Sequence, residues 1–408
     1  MKIFYKSLTL SVLISFSVSS QQTNQESFKK DIEYLASEKL EGRFPGTNGE
    51  QLAANYIAEK FEKLGLTKLT DSYFQNFNFT LPNSPHEEVK FNQDTDTKIN
   101  AKNIIAFIDN KKKNTVIIGA HYDHIGYGGQ YSLDRGINEI HNGADDNASG
   151  TAMLLSLAKQ LNNKNDLENN YLFIAFSAEE LGLIGSRYFV NSDVFNKESI
   201  NFMINLDMVG RLNAEKELSI FGVGTSSIFK QVVNSMNNNF KLKIIEDGTG
   251  PSDHTSFYNK DIPVLFFHTG SHENYHRPSD DVNLINYKGM SEISNYIIDI
   301  IDELETYNKL EFKETISNQP TVARFNVSLR VMPDYVFEGD GMKASQIIKG
   351  GPADDAGLID GDVIIMLGEN EVKDVYDYMN SLSKFEKGDS TKVIVLRSGK
   401  KLEFEVKF

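Results

Sequence analysis

Five short apolar runs recur along the first two thirds of the chain, and each ends in a polar stretch: NIIAFI (103–108), TVIIGA (115–120), YLFIAF (171–176), NFMINL (201–206) and IPVLFF (262–267). Runs of this length, rich in β-branched and aromatic residues, read as strands buried on both faces. Helical patterns lie between several of them, as in ASGTAMLLSLAKQL (148–161). Strands alternating with helices predict an α/β fold with a mostly parallel or mixed central sheet flanked by helices. Upstream, Leu52, Tyr56, Ile57, Phe61 and Leu64 are spaced for an amphipathic helix ending near Gly65, and residues 285–310 carry the same periodicity.

The run YLFIAF leads, after Ser177 and Ala178, into two adjacent carboxylates, Glu179 and Glu180. A charged pair at the tip of a buried strand is costly unless something neutralises it, and a metal cation is the simplest neutraliser. The other runs end in the same chemistry. TVIIGA is followed by His121 and Asp123, whose side chains share one side of an extended segment. NGADDNASG sets Asp145 and Asp146 ahead of a helix, NFMINL runs into Asp207, and His276 lies in SHENYHRPSDD beyond the fifth run. These positions all fall at the C-terminal ends of strands, where open α/β sheets place their sites. Seven of the eight histidines, all but His86, lie between residues 121 and 276, so imidazole gathers at the same edge.

Imidazole with carboxylate, in a chain without cysteine, suits zinc. One bridging carboxylate plus one histidine and one acid per ion would hold a pair of ions roughly 3.5 to 4 Å apart. Taken singly, each residue has an ordinary reading: an aspartate caps a helix, a glutamate favours a helix start, a histidine is hydrogen-bonded in the core. Together those readings require several coincidences along one edge.

The blocks GAHYDHIG, NGADDNASGTAMLL, AFSAEELGLIGS, INLDMVGR and NYHRPSDD, in this order over roughly residues 28–305, resemble the signature of the dizinc aminopeptidase family. That family includes bacterial leucyl aminopeptidases and is related to glutamate carboxypeptidase II and glutaminyl cyclases. The resemblance implies a zinc-dependent metallo-exopeptidase with two Zn2+ per chain, hydrolysing N-terminal residues from peptides through a metal-bridged water. It implies His121 and Asp207 on one ion, Glu180 and His276 on the other, and Asp146 bridging both. It makes Glu179 the general base, Asp123 the orienter of His121, and Tyr275 a group that steadies the oxyanion. His124, His141, His254, His268 and His272 receive no role, although the SDH around His254 is similar to a loop near the site in relatives. A glutaminyl cyclase-like enzyme with one zinc and a non-catalytic peptide-binding scaffold are the alternatives.

Residues 1–20 combine Lys2 and Lys6 with an apolar stretch and small residues, which reads as a secretory signal and an exported, periplasmic or extracellular, protein. No later stretch has membrane-spanning length. A formal charge of −15 argues against a nucleic-acid partner. The expected division is a signal peptide (1–20), an aminopeptidase domain (21–312), a linker around Pro320 (313–324) and a small, mainly β domain (325–408). In this last domain GGPADDAGLIDGDVIIMLG resembles the central block of a PDZ domain, a fold that captures a peptide C-terminus by strand addition. Its carboxylate-binding loop, SLRVMPDY, departs from the pattern: Arg330 stands where glycine is expected, and either pairs with a carboxylate or blocks the groove.

Overall fold

The computed structural model describes residues 24–80, 89–92, 97–129, 131–134, 137–315, 327–334, 337 and 339–408. The expected signal peptide and most of the expected linker lie outside the described residues.

A large sheet is built from β1 (Phe74–Thr80), β2 (Lys90–Phe91), β3 (Ile99–Ile108), β4 (Thr115–His121), β5 (Asn170–Phe176), β6 (Ile200–Leu206), β7 (Glu217–Phe221), β8 (Lys241–Ile244) and β9 (Val264–His268). Their spatial order is β2-β1-β3-β5-β4-β6-β9-β7-β8. The central strands β5, β4, β6 and β9 run parallel, whereas β3 joins β5 and β7 joins β9 antiparallel, so the sheet is mixed. All five apolar runs are strands in it. The strands β1, β2, β7 and β8 had no such run to announce them; β1 (FQNFNFT) alternates with polar residues, and β8 (KLKI) is a partly exposed edge.

Every residue of β4, β5 and β6 is buried, because helices cover both faces. One face carries Ile118, Ala120, Phe173, Ala175, Ile204 and Leu206 against the helix over residues 24–35 (α1), α2 (Asn48–Lys63), α3 (Gly150–Asn162), α5 (Phe229–Ser235) and α7 (Tyr287–Leu304). The residues between them, Ile117, Leu172, Ile174 and Met203, point the other way, against α4 (Ile184–Val190) and α6 (His254–Tyr258). Each isoleucine, leucine, phenylalanine or methionine among them contributes roughly 1.5–3 kcal/mol by leaving water, which makes the strand ends a rigid edge.

The second domain has its own core around Leu329, Ala344, Ile364 and Val393. Its strands β10 (Val331–Pro333), β11 (Met342–Ile347), β12 (Val363–Leu367), β14 (Ser390–Arg397) and β15 (Lys400–Lys407) lie in that order, with β13 (Asn370–Glu371) paired to β12. Two helices complete it, α8 (Pro352–Ala356) and α9 (Val375–Leu382). Asp374 caps α9 by accepting from the amides of Tyr376 and Asp377 at 2.8 and 2.9 Å, and Val375, Tyr378 and Leu382 form its buried stripe.

Arg330 adopts φ 59°, the left-handed conformation for which glycine is the usual residue, at a cost of about 1–2 kcal/mol. Its carbonyl accepts from the Ile348 amide at 3.0 Å. Its side chain passes Gly351, where an added Cβ would stand 2.6 Å from Arg330 Cβ.

Candidate metal centre

His121 is the last residue of β4, and Asp207 follows β6, its parallel neighbour. Asp146 comes from the turn that opens into α3. The side chain of Asn147 locks these three pieces together. Its Nδ2 donates to the carbonyls of His121 (3.3 Å) and Leu206 (3.0 Å), and its Oδ1 accepts from the amides of Gly150 (2.9 Å) and Met208 (3.2 Å). His121 Nε2 consequently lies 3.3 Å from Asp146 Oδ1 and 3.3 Å from Asp207 Oδ1. The second oxygen of Asp207 is taken by Ser252, whose hydroxyl donates at 2.7 Å.

The other oxygen of Asp146 serves a second cluster. His276 Nε2 stands 3.2 Å from Asp146 Oδ2 and 3.0 Å from Glu180 Oε2. All five expected ligand residues are thus brought together, with Asp146 between the two groups. His124 joins the second group, its Nδ1 2.7 Å from Glu180 Oε1. Glu179 stands aside: its Oε2 approaches His121 Nε2 only to 4.0 Å. The Tyr275 ring stacks on His276 at 4.0 Å between centroids.

Asp123 is the expected orienter of His121, whose Nδ1 lies 3.3 Å from the Asp123 backbone carbonyl. Its carboxylate is 3.7 Å from His121 Nδ1, beyond hydrogen-bond reach, and accepts instead from the amides of Glu179 (3.1 Å) and Glu180 (3.4 Å). It therefore sets the backbone that presents the glutamate pair.

Further supports had little signal in the sequence. Asp280 accepts from the amides of Asp145 and Asp146 at 2.9 and 3.1 Å, which holds the turn of the shared aspartate. Gly143, at φ 57°, permits that turn, since an added Cβ would meet the Asp146 carbonyl at 2.2 Å. Arg43 is fully buried and donates to the carbonyls of Tyr122 (2.7 Å), Leu35, Asn142 (2.7 Å) and Gly143 (3.0 Å). Its turn-rich setting, LEGRFPG, gives no hint of this. Asp280 lies in NYHRPSDD with no spacing to mark it, whereas the place of His124 in HYDH, next to Asp123, was a usable signal.

The other histidines divide. His272 Nε2 lies 3.1 Å from Asp145 Oδ2, close to the site. His141 contacts Ser132 Oγ at 2.7 Å, and His268 Nδ1 accepts from the Gly270 amide at 2.7 Å, both ordinary loop contacts. His254 stacks on Phe266 at 4.6 Å and has no hydrogen bond at either ring nitrogen.

Residues 103–301 match the sequence profile described as Peptidase family M28, and residues 327–408 match that of a PDZ domain. The chain carries a peptidase family M28 domain followed by a PDZ domain. Aminopeptidase YwaD of Bacillus subtilis is 29% identical to it over 223 residues, 51% of this chain and 45% of the relative. A probable leucine aminopeptidase of Arthroderma otae is 27% identical over 216 residues, 50% of this chain and 56% of the relative. The chain thus spans about half the length of the curated relatives it matches. In fold, the zinc aminopeptidase BSAP from Bacillus subtilis superposes with a TM-score of 0.55 at 18% identity, covering 71% of this chain and 98% of that one. Porphyromonas gingivalis glutaminyl cyclase gives 0.56 at 19% identity, covering 68% and 98%.

The charges of the M28 domain's site fit a bound divalent metal. Ligand-capable atoms of His121, Asp146 and Asp207, and of His124, Asp146 and Glu180, form two groups each within 4.8 Å, so one residue belongs to both. The Nε2 atoms of His121, His124 and His276 are buried without a well-aligned hydrogen bond, although carboxylate oxygens stand 3.0–3.3 Å from the first and last, which suits atoms that a cation would take up. Burial draws the His276 imidazole down, but Glu180 and Asp146 outweigh it and raise it to about 10. A field strong enough to keep a proton there also attracts a metal cation, so metal and protons compete for the site.

The two adjacent glutamates are driven apart. Burial pushes Glu179 well above the usual carboxylate range, His121 only partly opposing it and Asp207 and Asp253 adding to the rise. Burial and Asp146 act upward on Glu180 as well, yet His276 and His124 overcome them and bring it down to about 2. A permanent anion beside a carboxyl group that can carry a proton is the division of labour acid–base chemistry requires. Among the described residues no helix is long and apolar enough to cross a membrane.

Proposed function

We propose that the chain is an exported metallo-aminopeptidase that removes N-terminal residues from peptides, holding two zinc ions through His121 and Asp207, Glu180 and His276, and the shared Asp146. The observation that carries this reading is Asp146 itself: one oxygen 3.3 Å from His121, the other 3.2 Å from His276. Zinc bound in such a pair supplies Lewis acidity and an acidified water. Glu179, next to Glu180 in sequence but outside its cluster, takes a proton from the attacking water on its carboxylate and passes it to the leaving amine. Asp123 keeps that carboxylate in place by accepting from the Glu179 amide at 3.1 Å. The Tyr275 hydroxyl steadies the oxyanion. Residues 1–20 direct export, and a peptide C-terminus is the ligand class for the PDZ domain.

The test is metal content alongside peptides with free and blocked N-termini. The expected result is two zinc ions per chain and stepwise release of residues from free N-termini alone. One ion with cyclisation of N-terminal glutamine would replace this reading by the glutaminyl cyclase one. Peptide binding without metal or turnover would leave a scaffold.

A further inference from the structure

Gln346, on β11 of the PDZ domain, is 5% exposed, and its amide spends both ends on the M28 domain. Nε2 donates to the His272 carbonyl at 3.2 Å, and Oε1 accepts from Arg277 Nη2 at 3.4 Å. The reverse orientation of the amide would set donor against donor and acceptor against acceptor. His272 and Arg277 bracket His276, the imidazole between Glu180 and Asp146. The far side of this loop is held by the M28 domain itself. Tyr131 O lies 3.1 Å from His276 Nδ1, the Leu133 amide donates to the His276 carbonyl at 3.1 Å, and Asp134 pairs with Arg277. The His276 loop is therefore gripped from two sides, and one grip comes from another domain.

The surroundings of Gln346 make a mere packing role a poor account of it. Beside it opens a cavity of about 510 Å³, bordered by Ser271 and Glu273 of the M28 domain and Lys343 and Ser345 of the PDZ domain. A junction built for adhesion would be filled with apolar side chains, whereas a buried amide adds little net stability and is worth its desolvation only when both ends are satisfied.

We propose that Gln346 is a positioning residue for the metal centre: through it the PDZ domain sets the loop that presents His276. The inference rests on the reading of His276 as a zinc ligand. It implies that zinc affinity in the M28 domain depends on a residue of the PDZ domain.

The test uses the full chain with Gln346→Ala, with Gln346→Leu as a variant closer in shape, and with Ser345→Ala as a control that borders the same cavity. Zinc affinity is measured by competition with a chelating dye, amide exchange is followed over residues 272–277, and kcat and KM are measured on an aminoacyl substrate. Both Gln346 variants are expected to bind zinc ~10-fold more weakly, to exchange faster across the loop, and to lose kcat rather than gain KM, while Ser345→Ala matches the wild type. Zinc affinity and loop exchange equal to the wild type in both Gln346 variants would overturn the inference alone, provided the wild type binds zinc and cleaves. A wild-type chain that binds no zinc would remove the proposed function and this inference together.

Discussion

Asp362 of the PDZ domain and Asp146 of the M28 domain are almost equally buried, at 1% and 3% exposure, yet they are answered in opposite ways. Arg397 meets Asp362 with two prongs, Nε to Oδ1 at 2.7 Å and Nη2 to Oδ2 at 2.8 Å, so the charge is neutralised within its own domain. Asp146 sits among Asp207, Glu179 and Glu180 with imidazoles as its nearest partners, and the buried Arg43 acts on it only from further off. Among the described residues, no ion pair joins a lysine or arginine to any of these four. The first arrangement serves folding. The second gathers carboxyl groups and imidazoles at one point with no guanidinium fork between them, an arrangement that stability alone does not explain and a bound cation would.

The strongest attempt to break this contrast is Glu179→Gln. Turnover of an aminoacyl substrate should fall about 10²–10⁴-fold while zinc content and melting temperature hold, since the amide replaces a carboxylate that no lysine or arginine neutralises. Wild-type turnover, or lost zinc, would erase the distinction between Glu179 and its neighbour. Arg397→Leu should do the reverse, leaving Asp362 with the Ile359 amide (3.0 Å) but no cation and destabilising the PDZ domain by about 1–3 kcal/mol while the M28 domain's own unfolding transition stays where it was. Calorimetry of the full chain reads both transitions. His124→Ala tests whether the contact to Glu180 supports the site, and equilibrium dialysis should show zinc held ~10–100-fold more weakly. An unchanged constant would make His124 a bystander.

His254 gives the smallest effect and a pH dependence. Burial lowers its imidazole to about 3, against ~6.5 in the unfolded chain, so between those values only the unfolded state takes up the proton. Stability therefore rises with pH across that window, and at pH 5 the burden is about 2 kcal/mol. His254→Phe should flatten this part of the curve when denaturant midpoints are compared from pH 4.5 to 7. Parallel curves for the two proteins would show that His254 does not contribute to the acid limb.

Legibility along the chain followed hydrophobicity. The central strands were readable because burial on both faces demands unbroken apolar runs, α7 because one buried stripe imposes a helical period, and α3, buried on nearly all sides, because its apolar run is too long for a strand. Strands β1, β2 and β8 were not, since partly exposed and edge strands tolerate polar residues such as those of FQNFNFT, and β7 was not because ELSIF, although mostly buried, is short and broken by Glu217 and Ser219. Among site residues, those following apolar runs stood out. Arg43 and Asp280 did not, because they act through backbone carbonyls and amides, which leave no trace in residue spacing. Gln346 was equally silent: nothing in MKASQI announces a contact with a loop of another domain.

The order of residues determined the kind of chemistry available: imidazoles and carboxylates, without thiols, at the ends of segments too apolar to lie anywhere but inside. Burying those segments is a non-directional drive that any compact α/β sheet satisfies, so it specifies that the polar ends gather at an edge and not how they meet. Their meeting was decided by the strand order β5-β4-β6-β9, which is not the order of the chain. That order put His121 beside Asp207, turned the two oxygens of Asp146 toward different imidazoles, and set adjacent glutamates in opposite fields. Hydrogen bonds act over about 3 Å, and only the packed tertiary structure specifies distances that short.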